Sequence, residues 1–171
     1  PYKNGIFTDI PITEKSSPEK MIEASKKAVL NHLKNNKFVV SIGGEHSVTN
    51  GPIQAYSQKF KELTVLQLDA HSDLRPSFHG EKYSHATIMA RVKELCPIVQ
   101  VGIRSMGAEE KLYIDKDRIF YAKDIYNNNN WMEKAISKIK NDVYITIDLD
   151  VFDTSILPST DPAFQWTGQS R

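Results

Sequence analysis

Three short stretches gather the residues of this chain that could do chemistry. The first is Gly43-Gly44-Glu45-His46-Ser47, the second Asp69-Ala70-His71-Ser72-Asp73, and the third Asp148-Leu149-Asp150. Alternate residues of an extended chain share a face, so Asp69, His71 and Asp73 can converge on one point, as can Asp148 and Asp150. Carboxylates held together without a cation repel strongly at reduced dielectric, and a divalent ion removes that cost. A solvated acidic turn is the alternative, but both stretches follow apolar runs, Val65–Leu68 and Val143–Ile147. Four aspartates and two histidines with no thiolate suit Mn²⁺, with Fe²⁺, Co²⁺, Ni²⁺ or Zn²⁺ as competitors. The imidazoles make Mg²⁺ and Ca²⁺ a poorer match. Because bridging carboxylates let six residues complete two shells, the ligand number points to two ions per chain. Such a pair can deprotonate a shared water near neutral pH and stabilise an oxyanion.

The elements that must position these residues alternate along the chain. A helix is expected from Pro18 to about Lys37, with Ser17 as its cap, Pro18 in its first turn, and an apolar stripe of Met21, Ala24, Ala28 and Leu30. Phe38–Ile42 reads as a buried strand, stopped by a glycine pair that turns the backbone and aims His46 out of the sheet end. Helices are then expected at Thr49–Phe60, Ser84–Leu95, Ala108–Ile114 and Trp131–Lys140. Strands are expected at Thr64–Leu68, at Pro97–Val101 with Gly102 as its stop, at Arg118–Tyr121 and at Val143–Ile147. The four-Asn run 127–130 reads as a helix-capping loop. Such alternation implies crossover connections and an α/β fold, with a mainly parallel sheet covered on both faces. Sites in these sheets form at the carboxyl ends of the strands, and three strands here end in ionisable clusters.

Composition narrows the function classes. The chain has 171 residues, a size expected for a single domain spanning 1–171, and its formal net charge is +1. That balance offers no basic field for nucleic acid or an anionic membrane surface. No apolar run approaches the length needed to span a bilayer. The lone Cys96 fits a reducing, cytoplasmic setting. A start at Pro1 without an initiator Met reads as the inside of a longer chain.

Taken in order, these stretches resemble the ureohydrolase family of arginases and agmatinases, most nearly its agmatinase branch. Besides the three clusters, the matching residues are Leu74-Arg75, Ser84-His85-Ala86-Thr87 and Val101-Gly102-Ile103-Arg104-Ser105. The resemblance implies a three-layer α/β/α, arginase-like fold, incomplete at the C-terminus, with a binuclear manganese centre at the strand ends. Carried over, Asp69 and Asp148 would bridge both ions, His46 and Asp73 would complete one site, and His71 and Asp150 the other. The catalytic residues implied are His85, as proton donor or shuttle for the leaving amine, and Asp150. The implied reaction is hydrolysis of a small guanidino substrate, with agmatine as first choice, to urea and a primary amine. The family also implies a homo-oligomer. His32 and His79 have no motif support, and Glu45 reads either as a partner of the ligands or as a solvated loop residue.

Two departures qualify the carry-over. After Asp150 the chain reads Ser155-Ile156-Leu157-Pro158-Ser159-Thr160 in place of the family's Gly-Thr-rich segment, then diverges from Asp161 onward. The family's acidic residue that grips the guanidinium falls in the part not matched, and the N-terminal region is also shorter. A second reading is therefore a truncated chain that binds metal without turnover, with an open strand edge favouring association. A third, less favoured, is a single-zinc deacetylase of related fold.

Overall fold

The computed structural model describes residues 5–126 and 128–160, so Asn127 and the divergent stretch 161–171 lie outside it. Four parallel strands form one sheet in the order β3-β2-β1-β4: β1 (Leu63–Leu68), β2 (Ile98–Ile103), β3 (Ile119–Tyr121) and β4 (Asp142–Ile147). Helices α2 (Asn50–Lys59) and α3 (Ile88–Lys93) cover one face, where Ile53, Ile88, Met89 and Val92 pack on Val65 and Ile98. The other face carries α4 (Ala122–Tyr126) and α5 (Trp131–Ile136), with Ile125, Trp131 and Ala135 packed on Leu66, Leu68, Val99 and Val101. This is the expected three-layer α/β/α arrangement. Cys96 packs against the first core, and burial pushes its thiol up to about 11, so it serves as an apolar filler.

α1 (Pro18–Lys34) packs on the outside of α2 rather than on the sheet. Ser17 caps it as expected, accepting from the Lys20 N–H. The buried line is Ile22, Ser25, Val29 and Leu33, not the expected Met21, Ala24, Ala28 and Leu30. A Cβ on Gly51 of α2 would lie 2.4 Å from the Ile22 carbonyl oxygen, so the helices cross closely at Ile22 and Ser25, and this crossing turns that face of α1 inward.

Other boundaries also differ. Phe38–Ile42 forms no strand: Phe38 and Ile42 are 92% and 93% exposed, and among the described residues no strand lies beside the segment to complete a ladder. Only Val39 tucks inward, against α1 and α2. The expected Ser84–Leu95 helix is a 3-10 turn, His85–Thr87, followed by α3; Ala108–Ile114 holds only the 3-10 turn Glu109–Leu112; and α5 stops at Ile136. β2 does not stop at Gly102 but runs through it with φ +93. A Cβ there would lie 2.7 Å from a Val151 methyl and 3.1 Å from the Asp69 carbonyl oxygen, so only glycine lets β2 pass this close to the turns after β1 and β4.

β4 also departs from the covered sheet expected. Among the described residues it pairs with β1 alone, and Val143, Ile145 and Ile147 are exposed. Because the Asp148 N–H donates to the Leu68 carbonyl, strand alternation points the backbone groups of residues 143, 145 and 147 toward the open side.

Candidate metal centre

Five of the six candidates sit just past β1 or β4, and His46 sits on the turn that leads into α2. His46 opens the 3-10 turn His46–Thr49, with Glu45 as N-cap accepting from the Ser47 N–H. The preceding glycines are not in the left-handed region. Gly43 is needed for a different reason than a sharp turn, because a Cβ would lie 2.3 Å from a Val48 methyl. Asp69 to Asp73 leave the end of β1, and Asp73 adopts φ +54, a left-handed conformation that aspartate tolerates better than most residues. Asp148 caps the turn Leu149–Val151 after β4 and accepts from the Asp150 N–H at 3.1 Å.

These turns bring six side chains together. His46 Nδ1 lies 2.9 Å from Asp69 Oδ2, 2.9 Å from Asp73 Oδ2 and 3.9 Å from Asp148 Oδ2. His71 Nδ1 lies 2.8 Å from Asp150 Oδ2 and 3.9 Å from Asp69 Oδ1. Two donor groups result, His46–Asp69–Asp148 and Asp69–His71–Asp150, each with its ligand atoms within 4.8 Å of one another, and Asp69 belongs to both. His85 stands apart from them. Its ring is 59% exposed, 3.8 Å from Glu45 Oε2 and edge-on to Phe78.

The carboxylates and imidazoles shift one another's protonation. His46 is pushed up to about 10: burial opposes its charge, but hydrogen bonds to Asp69 and Asp73 override it. The Asp150 hydrogen bond pushes His71 up to about 9 against partial burial. Burial raises Asp73 to about 7, aided by the neighbouring Asp69 charge, while His46 pulls the other way. Burial and the charges of Asp150 and Asp69 also raise Asp148. Burial pushes Asp150 up, but the hydrogen bonds from His71 and the Ala70 N–H together with the His71 charge outweigh it, so Asp150 is lowered. Four carboxylates face two imidazoles, so even full protonation of both rings leaves negative charge over. The donor set fits divalent cations.

Several positioning residues were not legible as such. Thr146 Oγ1 lies 2.9 Å from His46 Nε2 and leaves Nδ1 toward the carboxylates. The Ala70 N–H donates to Asp150 Oδ1 at 3.0 Å. Arg104, which the sequence shows only as part of a motif, donates to the Val151 and Phe152 carbonyls at 3.2 and 3.3 Å and also to the Asp150 carbonyl, pinning that turn. A buried Glu110 accepts from Ser72 Oγ at 2.6 Å and from the Leu74 N–H at 2.8 Å, bracketing Asp73. The available signal was a polar residue, such as Thr146, inside an otherwise apolar strand.

The family model for the Arginase family matches residues 4–164. The chain belongs to the arginase family. Among its relatives, an N(1)-aminopropylagmatine ureohydrolase of Synechocystis sp. is 35% identical over 164 residues, covering 90% of this chain and 54% of that protein. An agmatinase of Bacillus subtilis is 31% identical, covering 89% of this chain and 53% of that protein. The crystal structure of the agmatine ureohydrolase of Thermoplasma volcanium superposes with a TM-score of 0.77 at 30% identity, over 89% of this chain and 54% of that one. This arginase-family chain thus spans about half the length of the curated relatives it matches. No described helix is long and apolar enough to cross a membrane.

Proposed function

We propose that the six side chains hold two manganese ions and that the chain carries agmatinase-like chemistry, hydrolysing agmatine to putrescine and urea. The observation that carries this reading is the pair of donor groups sharing Asp69. On this reading Asp69 and Asp148 would serve both ions, His46 and Asp73 would hold one of them, and His71 and Asp150 would hold the other. Divalent cations held there would supply a water of lowered pKa and positive charge to offset a developing oxyanion. The chain's own residues supply the rest. Asp150 accepts from a main-chain N–H through one oxygen and faces His71 with the other, so its carboxylate is held at the reacting centre. His85 is the exposed imidazole that donates a proton to the leaving amine; Glu45 lies beside it.

A second substrate, N(1)-aminopropylagmatine, is favoured by the name of the Synechocystis relative. Both compounds present the same guanidino end, and they differ at the amine. The activity is proposed for a protein operating in the cytoplasm as a homo-oligomer.

The test is urea release by the chain loaded with manganese, with each substrate offered in turn. Metal-dependent urea is expected, and Asp148→Ala should abolish it. Turnover that persists in that variant, or manganese binding without any urea, overturns the catalytic reading for this chain.

A further inference from the structure

Two fully buried glutamines sit on the mainly apolar strands β1 and β2. Gln67 is 0% and Gln100 2% exposed, and they are direct register partners on the two central strands. Burying an amide without partners costs roughly 1–3 kcal/mol on mutational scales, so such a pair calls for a physical reason. The hydrogen bonds supply one. Gln67 Nε2 donates to Asp69 Oδ2 at 2.8 Å and to the His71 carbonyl at 3.1 Å. Gln100 Nε2 donates to Gln67 Oε1 at 2.6 Å and to the Ser72 carbonyl at 2.8 Å.

Neither amide can be flipped. Each nitrogen faces two acceptors, and the one oxygen used, Gln67 Oε1, faces a donor. The Asp69 carboxylate is therefore fixed from both sides, since its other oxygen, Oδ1, accepts the His71 N–H at 2.7 Å. We infer that Gln67 and Gln100 form a positioning relay that sets the Asp69 carboxylate and the following turn for cation capture. Gln67 is the direct holder, and Gln100 orients Gln67. The inference rests on the two-cation reading above. Because Glu110 grips the same turn from the far side, losing the relay should loosen Asp69 without unravelling the turn.

The test is a manganese titration on the folded chain, read by calorimetry and by the electron paramagnetic resonance signal of free Mn²⁺. Thermal midpoints of the metal-free proteins are recorded alongside. Gln67→Met keeps length and packing volume but removes both donors, and it should weaken manganese binding about 10–100-fold. Gln100→Met leaves Gln67 present but unoriented and should weaken binding by a smaller factor, about 3–10-fold; it also serves if Gln67→Met does not fold. A lower midpoint with unchanged manganese affinity in either variant would mean a merely structural pair and overturns the relay. Failure of the unaltered chain to bind manganese is a distinct result, because it removes the two-cation reading itself.

Discussion

Asp69→Ala should eliminate uptake of both cations, whereas Asp73→Ala should weaken only one. Asp69 is the residue common to the two donor groups, while Asp73 lies 2.9 Å from His46 and belongs to neither group. Outer hydrogen-bond partners of a metal typically contribute about 10–100-fold in affinity, so loss of a shared ligand should exceed about a hundredfold for each ion. The effect has two causes: a coordinating oxygen disappears from each site, and so does the buried charge that attracts both ions. Stoichiometry of manganese bound at saturation reads the outcome. Two ions retained by Asp69→Ala would break the proposed architecture, and so would equal losses in the two variants.

Manganese binding should be strongly dependent on pH, with affinity rising as the solution becomes more alkaline. At neutral pH the metal-free chain holds protons on His46 and His71, raised to about 10 and about 9. A cation taking an imidazole nitrogen must displace its proton. Each ion's apparent affinity should therefore rise about tenfold per pH unit from pH 7 toward 9, with roughly one proton released per imidazole. The metal-free fold should respond in the opposite sense. Raised histidine pKa values stabilise it fully below the ordinary value of 6.5, and that contribution is lost as pH rises through about 9 to 10. Calorimetric titration at pH 7.5 in buffers of different ionisation enthalpy counts the protons. An enthalpy independent of the buffer would rule out proton displacement.

The convergence of these clusters was readable because coordination chemistry constrains residue type and spacing together. Aspartates at alternate positions after an apolar run serve little purpose without a cation, and Asp69, His71, Asp148 and Asp150 do converge. What sequence reasoning missed lies in contacts between segments distant along the chain. Gln67 and Gln100 are 33 residues apart, and nothing local announces that they meet. Arg104 reaches carbonyls about 47 residues onward. Gly102 reads as a strand stop, yet its role is close approach to Val151, visible only once β2 and the final turn are adjacent. The segment Phe38–Ile42 has strand composition, but a strand exists only with a partner to share its ladder, and composition cannot report that partner. α4, Ala122–Tyr126, is a short helix with no buried residue, so it leaves no apolar periodicity to detect.

Among the described residues nothing pairs with the outer side of β4, and this sets the conditions under which the chain can be handled as a separate polypeptide. Between Val143 and Ile147 stands no lysine, proline or glycine, the residues that usually blunt growth by edge-to-edge stacking. Crowded solutions should therefore drive copies into ordered aggregates, with dilution keeping them apart. Ile145→Lys is the smallest change that should relieve this, and light scattering that climbs equally with concentration in both proteins would discount the edge as the cause.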